Sequence, residues 1–255
     1  MVVKSVTMTA LSGLPLVEPG DNLGELLIAA LRRMQIQLRS KDVLVVAQKI
    51  VSKAEGRLVD LKAVVPSARA KSLALEVNKD PRLVEVILSE SDEVVRHGRG
   101  VLIVVHRLGF IMANAGVDQS NVGGRDSDQV LLLPRDPDAS AAVLKERLDR
   151  EFGVQTGVIV NDSFGRPWRL GVVGVALGAA GLPVLRNMIG SPDLFGRKLR
   201  VTEIALADEI AAAASLVMGQ GSEGRPAVHL RGLAWDAPPA RASALLRPKE
   251  TDLFR

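Results

Sequence analysis

The sequence predicts an α+β protein: mixed sheets with packed helices, two intimately associated subdomains, and neither a Rossmann nor a P-loop fold. Three observations carry this. Helix-period and strand-like segments intermix along the 255 residues without the regular strand–helix–strand alternation of a doubly wound sheet. There is no Gly-x-x-x-x-Gly-Lys-Ser/Thr run, and Gly171, Gly174 and Gly178 are wrongly spaced for a Gly-x-Gly-x-x-Gly turn. Eight of the 23 glycines lie between Gly157 and Gly196, a density that points to tight backbone approaches there rather than long regular helices.

Taken in order, Asp21 or Asn22 caps a helix whose residues Leu23, Leu26, Leu27, Ala30, Leu31 and Met34 recur at helical spacing. Asp42–Ala47 reads as a strand, Gln48–Gly56 as a short helix or turn carrying Lys49 and Lys53, and Arg57–Leu61 as another strand. Pro66 opens a helix to about Val77, and Pro81 opens a second to about Ser89. Val101–Val105 and Phe110–Ala113 form a hairpin with Gly109 in its turn, followed by a polar loop over Asn114–Gly124. Pro137 starts a helix to about Phe152, stopped by Gly153. Gly157–Asn161 is a buried strand, Val201–Met218 an alanine-rich helix closed by Gly219, and Ala227–Leu230 a last short strand. Residues 1–233 read as the main domain, with a weakly marked internal boundary near Arg57–Pro66. Residues 234–255, rich in Ala, Pro and Arg, read as a loose C-terminal extension.

Composition narrows the function classes. Apolar residues make up 47% of the chain and charged residues 24%, as in an ordinary soluble protein with a sizeable core. The net charge of +4 comes without a block of like charge, and aromatic content is 3% with no tyrosine, so nucleic acid is not an expected partner. The absence of cysteine excludes disulfides, thiolate zinc sites and a cysteine nucleophile. His97, His106 and His229 have no metal-ligand spacing and receive no role. There is no Gly-x-Ser-x-Gly elbow, and no signal-peptide pattern or confident membrane span, so a cytoplasmic location is expected, with no membrane partner.

Two carboxylates stand out by position. Asp162 ends the Gly157–Asn161 strand beside Ser163, and Asp118 lies in the loop after a strand, within Asn114-Ala-Gly-Val-Asp-Gln-Ser-Asn121. Each alone reads as a turn or capping residue. Two such loops, each pairing Asp with hydroxyl or amide side chains, favour a shared site for Mg2+ or Mn2+ with phosphate oxygens completing the shell. The Met218–Arg225 loop and the Gly13-Leu-Pro-Leu16 segment read, on composition alone, as an ordinary helix stop and a simple turn. Lys49 and Lys53 suit either phosphate or solvent. Arg166 and Arg169 are candidates for holding an anionic substrate or phosphate.

Together these segments resemble the coenzyme F420 gamma-glutamyl ligase family (coenzyme F420-0:L-glutamate ligase). The resemblance rests on Gly13–Leu16, Gln48–Gly56, Ala113–Asn121, Asn161–Arg169, Ala207–Ala214 and Met218–Gln220, with weaker support from Leu246–Pro248 and Asp252–Phe254. It implies an α+β enzyme, dimeric, that uses GTP and Mg2+ or Mn2+ (with K+ a further candidate) to join L-glutamate to the lactyl carboxylate of F420-0, and that extends a γ-linked tail. It further implies metal ligation by Asp118 and Asp162, with Ser163 and Gln220 at a second position. GTP would lie against Gly13, Leu14, Pro15, Leu16, Gln48, Lys49, Lys53, Asn121, Met218, Gly219, Gln220, Gly221, Ser222, Glu223, Gly224 and Arg225. Gln220 and Arg186 stand where the pattern leads one to expect acids. They motivate a second reading, a non-catalytic or altered-specificity nucleotide- or deazaflavin-binding paralogue.

Overall fold

Residues 5–123 and 128–253 are described by a computed structural model; Gly124, the end of the predicted loop, and Phe254 lie outside them. The chain opens with β1 (Thr7–Ala10), α1 (Leu23–Arg33), β2 (Val43–Ala47), α2 (Gln48–Ala54) and β3 (Leu58–Asp60). It continues through α3 (Ala68–Val77), α4 (Pro81–Ser89), β4 (Ser91–Gly98), β5 (Val101–His106), β6 (Ile111–Ala113) and β7 (Gln129–Leu131). Then come α5 (Pro137–Phe152), β8 (Gly157–Arg166), β9 (Arg169–Ala180), β10 (Arg186–Asn187), β11 (Glu203–Ile204), α6 (Leu206–Met218) and β12 (Ala227–Arg231). The class is α+β, as the sequence predicts.

The larger sheet has the order β1-β12-β2-β8-β9. Only β2 and β8 run parallel; the other neighbours are antiparallel. Strand alternation splits its core into two layers. Leu44, Val46, Val158 and Val160 pack under α1, α2 and α5, while Val43, Val45 and Ile159 pack under α6. The second unit is the antiparallel sheet β4-β5-β6, whose Leu102 and Val104 pack on Ala70, Ala74, Val84 and Ile87 of α3 and α4. The β3–β7 pair lies with Leu61, Val86 and Leu132 in a separate small core.

Helix starts follow capping chemistry. The Asn22 side-chain Oδ1 accepts from the Glu25 N–H, and the side chains of Ser67, Asp80 and Asp136 accept from the N–H groups of Ala70, Arg82 and Ala139, each meeting a donor that the helix leaves open. Ser67, not Pro66, therefore sets the start of α3.

Several elements depart from expectation. The alanine-rich helix begins at Leu206, not Val201, because Glu203 and Ile204 pair with Asn187 and Arg186. Strand β8 runs past Asn161 to Arg166, since its partner β9 continues alongside it. The glycine-dense stretch is β9 itself. A Cβ at Gly174 would collide with the Ala211 carbonyl of α6, and one at Gly178 with the Pro137 carbonyl of α5. The glycines thus let two helices rest directly on the strand. A bulge where Val160–Asn161 face Gly178 and Ala176 lets these glycines serve helices on opposite faces. The tail is anchored, not loose: Ala242 is fully buried and its N–H donates to Asp138 Oδ1 at 2.7 Å.

Two of the histidines are structural. His229 Nε2 lies 2.9 Å from Asp42, which Arg231 also grips at 2.6 Å, and these contacts tie β12 to the start of β2. Burial pushes the Asp42 pKa up, but His229, Arg231 and the Arg39 N–H outweigh it and hold it at about 2. His106 is buried and its Nδ1 accepts from the Leu108 N–H at 3.0 Å. Beside it, buried Glu90 binds Arg57 at 2.7 Å and Arg107 at 3.1 Å.

Gly178→Ala should cost about 1–3 kcal/mol by urea unfolding because the obstacle is backbone. Gly98→Ala, with open space at its Cβ, should stay within about 0.5 kcal/mol. Asp42 has a folded pKa below its unfolded value, so its contribution is complete above about pH 4 and fades as pH falls toward 2. Asp42→Asn should remove about 2 kcal/mol of the stability lost over that window.

Candidate functional site

The candidate residues meet at one edge of the larger sheet, and topology puts them there. Strands β1 and β2 end at this edge, β12 begins there, and β8 passes it on the way to Arg166. The Leu11 N–H donates to the Ala227 carbonyl and the Ala47 N–H to the Pro226 carbonyl, both at 2.8 Å. Hence the Gly13–Leu16 segment, the start of α2, the end of the Met218–Arg225 loop and Asp162 emerge side by side.

Asp162 follows a run of buried residues, Val158–Asn161, on a strand too tightly paired to let it turn away. Burial raises its pKa to about 6; the charge of Asp118 adds to the rise, while the Ser163 N–H and Lys49 only partly oppose it. Asp118 arrives from the smaller sheet. After β6 the chain turns through three residues with positive φ, Asn114 (52°), Ala115 (52°) and Gly116 (65°). Asn114 Oδ1 fixes the turn by accepting the Leu102 N–H at 3.1 Å. A side chain at Gly116 would come within 2.8 Å of Leu133 and Met112, so glycine meets both demands there. Asp118 then pairs through its backbone with Leu131.

Lysines of α2 join the loops. Lys49 Nζ lies 2.7 Å from Asp118 Oδ2 and 2.6 Å from Ser120 Oγ, and the Ser120 N–H donates to Asp118 Oδ1 at 2.7 Å. Burial would raise the Asp118 pKa, but Lys49 and Ser120 outweigh it and hold it below the ordinary carboxylate value. One turn on, Lys53 Nζ donates to the Asn121 carbonyl at 2.7 Å. Asn121, at φ 57°, donates through Nδ2 to the Gly221 carbonyl at 3.1 Å, and Ser163 Oγ donates to Gln220 Oε1 at 2.7 Å. Gly219, at φ 81°, lets the loop fold back so that Glu223 accepts the Gly221 N–H at 2.8 Å.

The remaining candidates divide. Gly221, Ser222, Gly224 and Arg225 are exposed, while Met218 packs in the core under α6. Gln48 is buried, its side chain accepting from Ser52 Oγ at 2.8 Å, so only its backbone borders the site. Leu14 packs against the core, Leu16 and Pro15 project outward, and Gly13 lies under the Arg33 guanidinium. Arg166 lines a cavity beside the two acids, donating from Nη2 to the Leu170 carbonyl at 2.9 Å. Arg169 is exposed across the hairpin and does not line it.

The donors available for a cation are oxygens only. Among the described residues no three His, Cys, Asp or Glu side chains converge. Asp118 and Asp162 nevertheless fit a hard divalent ion that keeps water and phosphate oxygens in its shell. Burial, and after it the charge of Asp118, raises the Asp162 pKa, so positive charge brought to this carboxylate would favour its ionised form.

Sequence reasoning missed Ser120, which completes the oxygen set around Lys49; its signal is the Asp-x-Ser spacing of an Asx-type turn. It also missed the cavity of about 740 Å³ lined by Asp118, Asp162 and Arg166 together with Arg96 and apolar residues. No local pattern announces a cavity shared by two sheets.

Residues 13–232 match the family described as F420-0:Gamma-glutamyl ligase. A Coenzyme F420:L-glutamate ligase of Methanothermobacter thermautotrophicus is 45% identical over 252 residues, covering 98% of this chain and 99% of that protein. The protein of the same name from Methanopyrus kandleri is 48% identical over 243 residues, 94% of this chain and 93% of its own. That of Methanocaldococcus jannaschii is 40% identical over 244 residues, 95% of this chain and 94% of its own.

Asp162 has a folded pKa above its ordinary value, so its ionisation costs stability as pH rises from about 4 to 6. Asp162→Asn should therefore raise unfolding stability at pH 8 by up to about 3 kcal/mol and leave it nearly unchanged at about pH 3. Carboxyl carbon NMR of the metal-free protein should show Asp162 titrating near 6, and lower in Asp118→Asn.

Proposed function

This chain belongs to the F420-0:gamma-glutamyl ligase family, and from that premise we propose that it joins L-glutamate to the lactyl carboxylate of coenzyme F420-0 at the expense of GTP. Further glutamates would follow through γ-linkages. The observation that carries this reading is the convergence on Asp118 and Asp162 of five separate segments bearing lysines, glycines and oxygen donors.

The reaction must activate a carboxylate, a poor acylating agent. A carboxylate oxygen attacks the γ-phosphorus of GTP, the bond to the bridging oxygen breaks, and GDP leaves. The amine of glutamate then attacks the acyl carbon of the resulting acyl phosphate. Inorganic phosphate departs with the carbon–oxygen electron pair, and the nitrogen loses a proton to give the amide. Such chemistry is catalysed by position and charge and needs no side-chain nucleophile, in keeping with a chain that lacks cysteine.

Lys49 and Lys53, one helical turn apart, present two ammonium groups to the phosphate chain. The glycines at 219, 221 and 224 let the backbone of the Met218–Arg225 loop approach the nucleotide, beside Asn121 and the Gly13–Leu16 segment. Asp118 and Asp162 would hold Mg2+ or Mn2+, with Ser163 and Gln220, already bonded to each other, offering oxygens at a second position. When bound, the cation neutralises charge on the phosphate oxygens.

We also propose a homodimer. Leu194 and Phe195, on the segment between β10 and β11, are more than nine-tenths exposed, as is Leu170 near the β8–β9 hairpin tip. A cytoplasmic location is part of the same proposal; among the described residues no helix is long and apolar enough to cross a membrane.

Incubation with F420-0, GTP, Mn2+ and L-glutamate should give a product heavier by one glutamyl residue, with GDP in equal amount. Binding of F420-0 without any such product under either metal would favour the non-catalytic reading. Asp118→Asn should lower turnover about 100-fold or more with the fold intact by circular dichroism. The double variant Leu194→Glu, Phe195→Glu should run as a monomer in light scattering where the parent runs as a dimer.

A further inference from the structure

The sheet β4-β5-β6 uses only one of its faces. Leu102 and Val104 pack on the helices, while Ile103 of the same strand turns to the opposite side. That side, with Val95 and Ile111, forms one wall of the 740 Å³ cavity. The β8–β9 hairpin forms the facing wall through Phe164 and Trp168.

Two guanidinium groups reach this largely apolar space. Between Val94 and Arg96 the pairing of β4 with β5 slips by one residue, so that Arg96 and its neighbour Val95 both line the cavity. A regular strand would send them to opposite faces. Arg166 comes from the other wall, and its Nε is buried without a hydrogen-bond partner among the described residues. A buried guanidinium donor left open is costly and marks a place for an acceptor.

Position relative to the acids fixes the occupant. The segments proposed for GTP flank Asp118 and Asp162 on the side of α2 and the Met218–Arg225 loop, and apart from the cation ligands none of their residues lines the cavity. The cavity opens onto the same two acids from the other flank. Apart from its guanidinium groups and the acids at its mouth the lining is largely apolar, and the space is large enough for a fused aromatic ring with an anionic tail.

We propose that this cavity is the binding site of the coenzyme substrate. The flat deazaflavin end lies against Ile103, Ile111 and Phe164, the anionic tail is held by Arg96 and Arg166, and the terminal carboxylate is delivered to Asp118 and Asp162. This rests on the ligase reading above and adds the residues that select the coenzyme. Arg96 and Ile103 are then specificity determinants that do not touch GTP.

The test follows F420-0 binding by its deazaflavin fluorescence, with a fluorescent GDP analogue titrated in parallel. Ile103→Trp, which fills the cavity, should weaken F420-0 binding about tenfold or more and leave the GDP analogue within about twofold. Arg96→Gln should weaken F420-0 binding about tenfold, with partial recovery in Arg96→Lys. Unchanged F420-0 affinity in both Ile103→Trp and Arg96→Gln, in a parent enzyme that still ligates, would overturn the cavity assignment alone. Loss of the GDP analogue instead would place the guanine there and also overturn it. A parent protein that neither binds F420-0 nor ligates would instead overturn the ligase reading itself.

Discussion

Asp162 lies on the larger sheet and Asp118 on the loop that leaves the smaller one, and the structure holds both at one edge although burial and mutual repulsion oppose it. Lys49 stands against Asp118 at 2.7 Å and gives that carboxylate a partner. Asp162 has none of comparable strength among the described residues, and burial together with the charge of Asp118 raises its pKa to about 6. Positive charge beside Asp162 would offset that cost, as the cation and polyphosphate proposed above require.

The rest of the molecule can be understood as what fixes that edge. Strand β9 carries glycines where α5 and α6 lie on it, so the helices clamp the β8–β9 hairpin without intervening side chains. Two acids, Asp138 buried and Asp208 half-buried, complete the clamp. Asp138 of α5 accepts the Ala179 N–H of β9 at 2.9 Å as well as that of Ala242, and Asp208 of α6 accepts the Ala176 N–H at 2.9 Å. Burial raises the Asp208 pKa, so the helix holds the strand through a carboxylate that is itself costly to charge. On the other side, the left-handed turn at Asn114–Gly116 delivers Asp118, and the Arg57–Glu90–Arg107 contacts hold the smaller sheet behind it.

Much of this was legible in the sequence where the signal is local. Caps, proline starts and apolar periodicity located α1 and α3 to α5, and the end of a buried run pointed to Asp162. The specific strings around Asp118 and Asp162 and the Met218–Gln220 stop pointed to one family, and the match over residues 13–232 bears that out. What escaped depends on distant partners. The strand β9 was hidden because its glycines are explained only by helices that lie on it. Strand β4 is largely polar and exposed along its length, with the bulge at Val95 breaking any alternation. Arg169 and Arg166 looked alike in sequence, and only the hairpin register separates the one in the cavity from the one in solvent.

The central claim is that the paired acids and the α2 lysines serve carboxylate activation by GTP. It is tested most directly by supplying F420-0 with oxygen-18 in its lactyl carboxylate and following the label through a single glutamate addition. The account predicts that one labelled oxygen appears in the inorganic phosphate and the other remains in the amide. Phosphate free of label, alongside normal product, would contradict it.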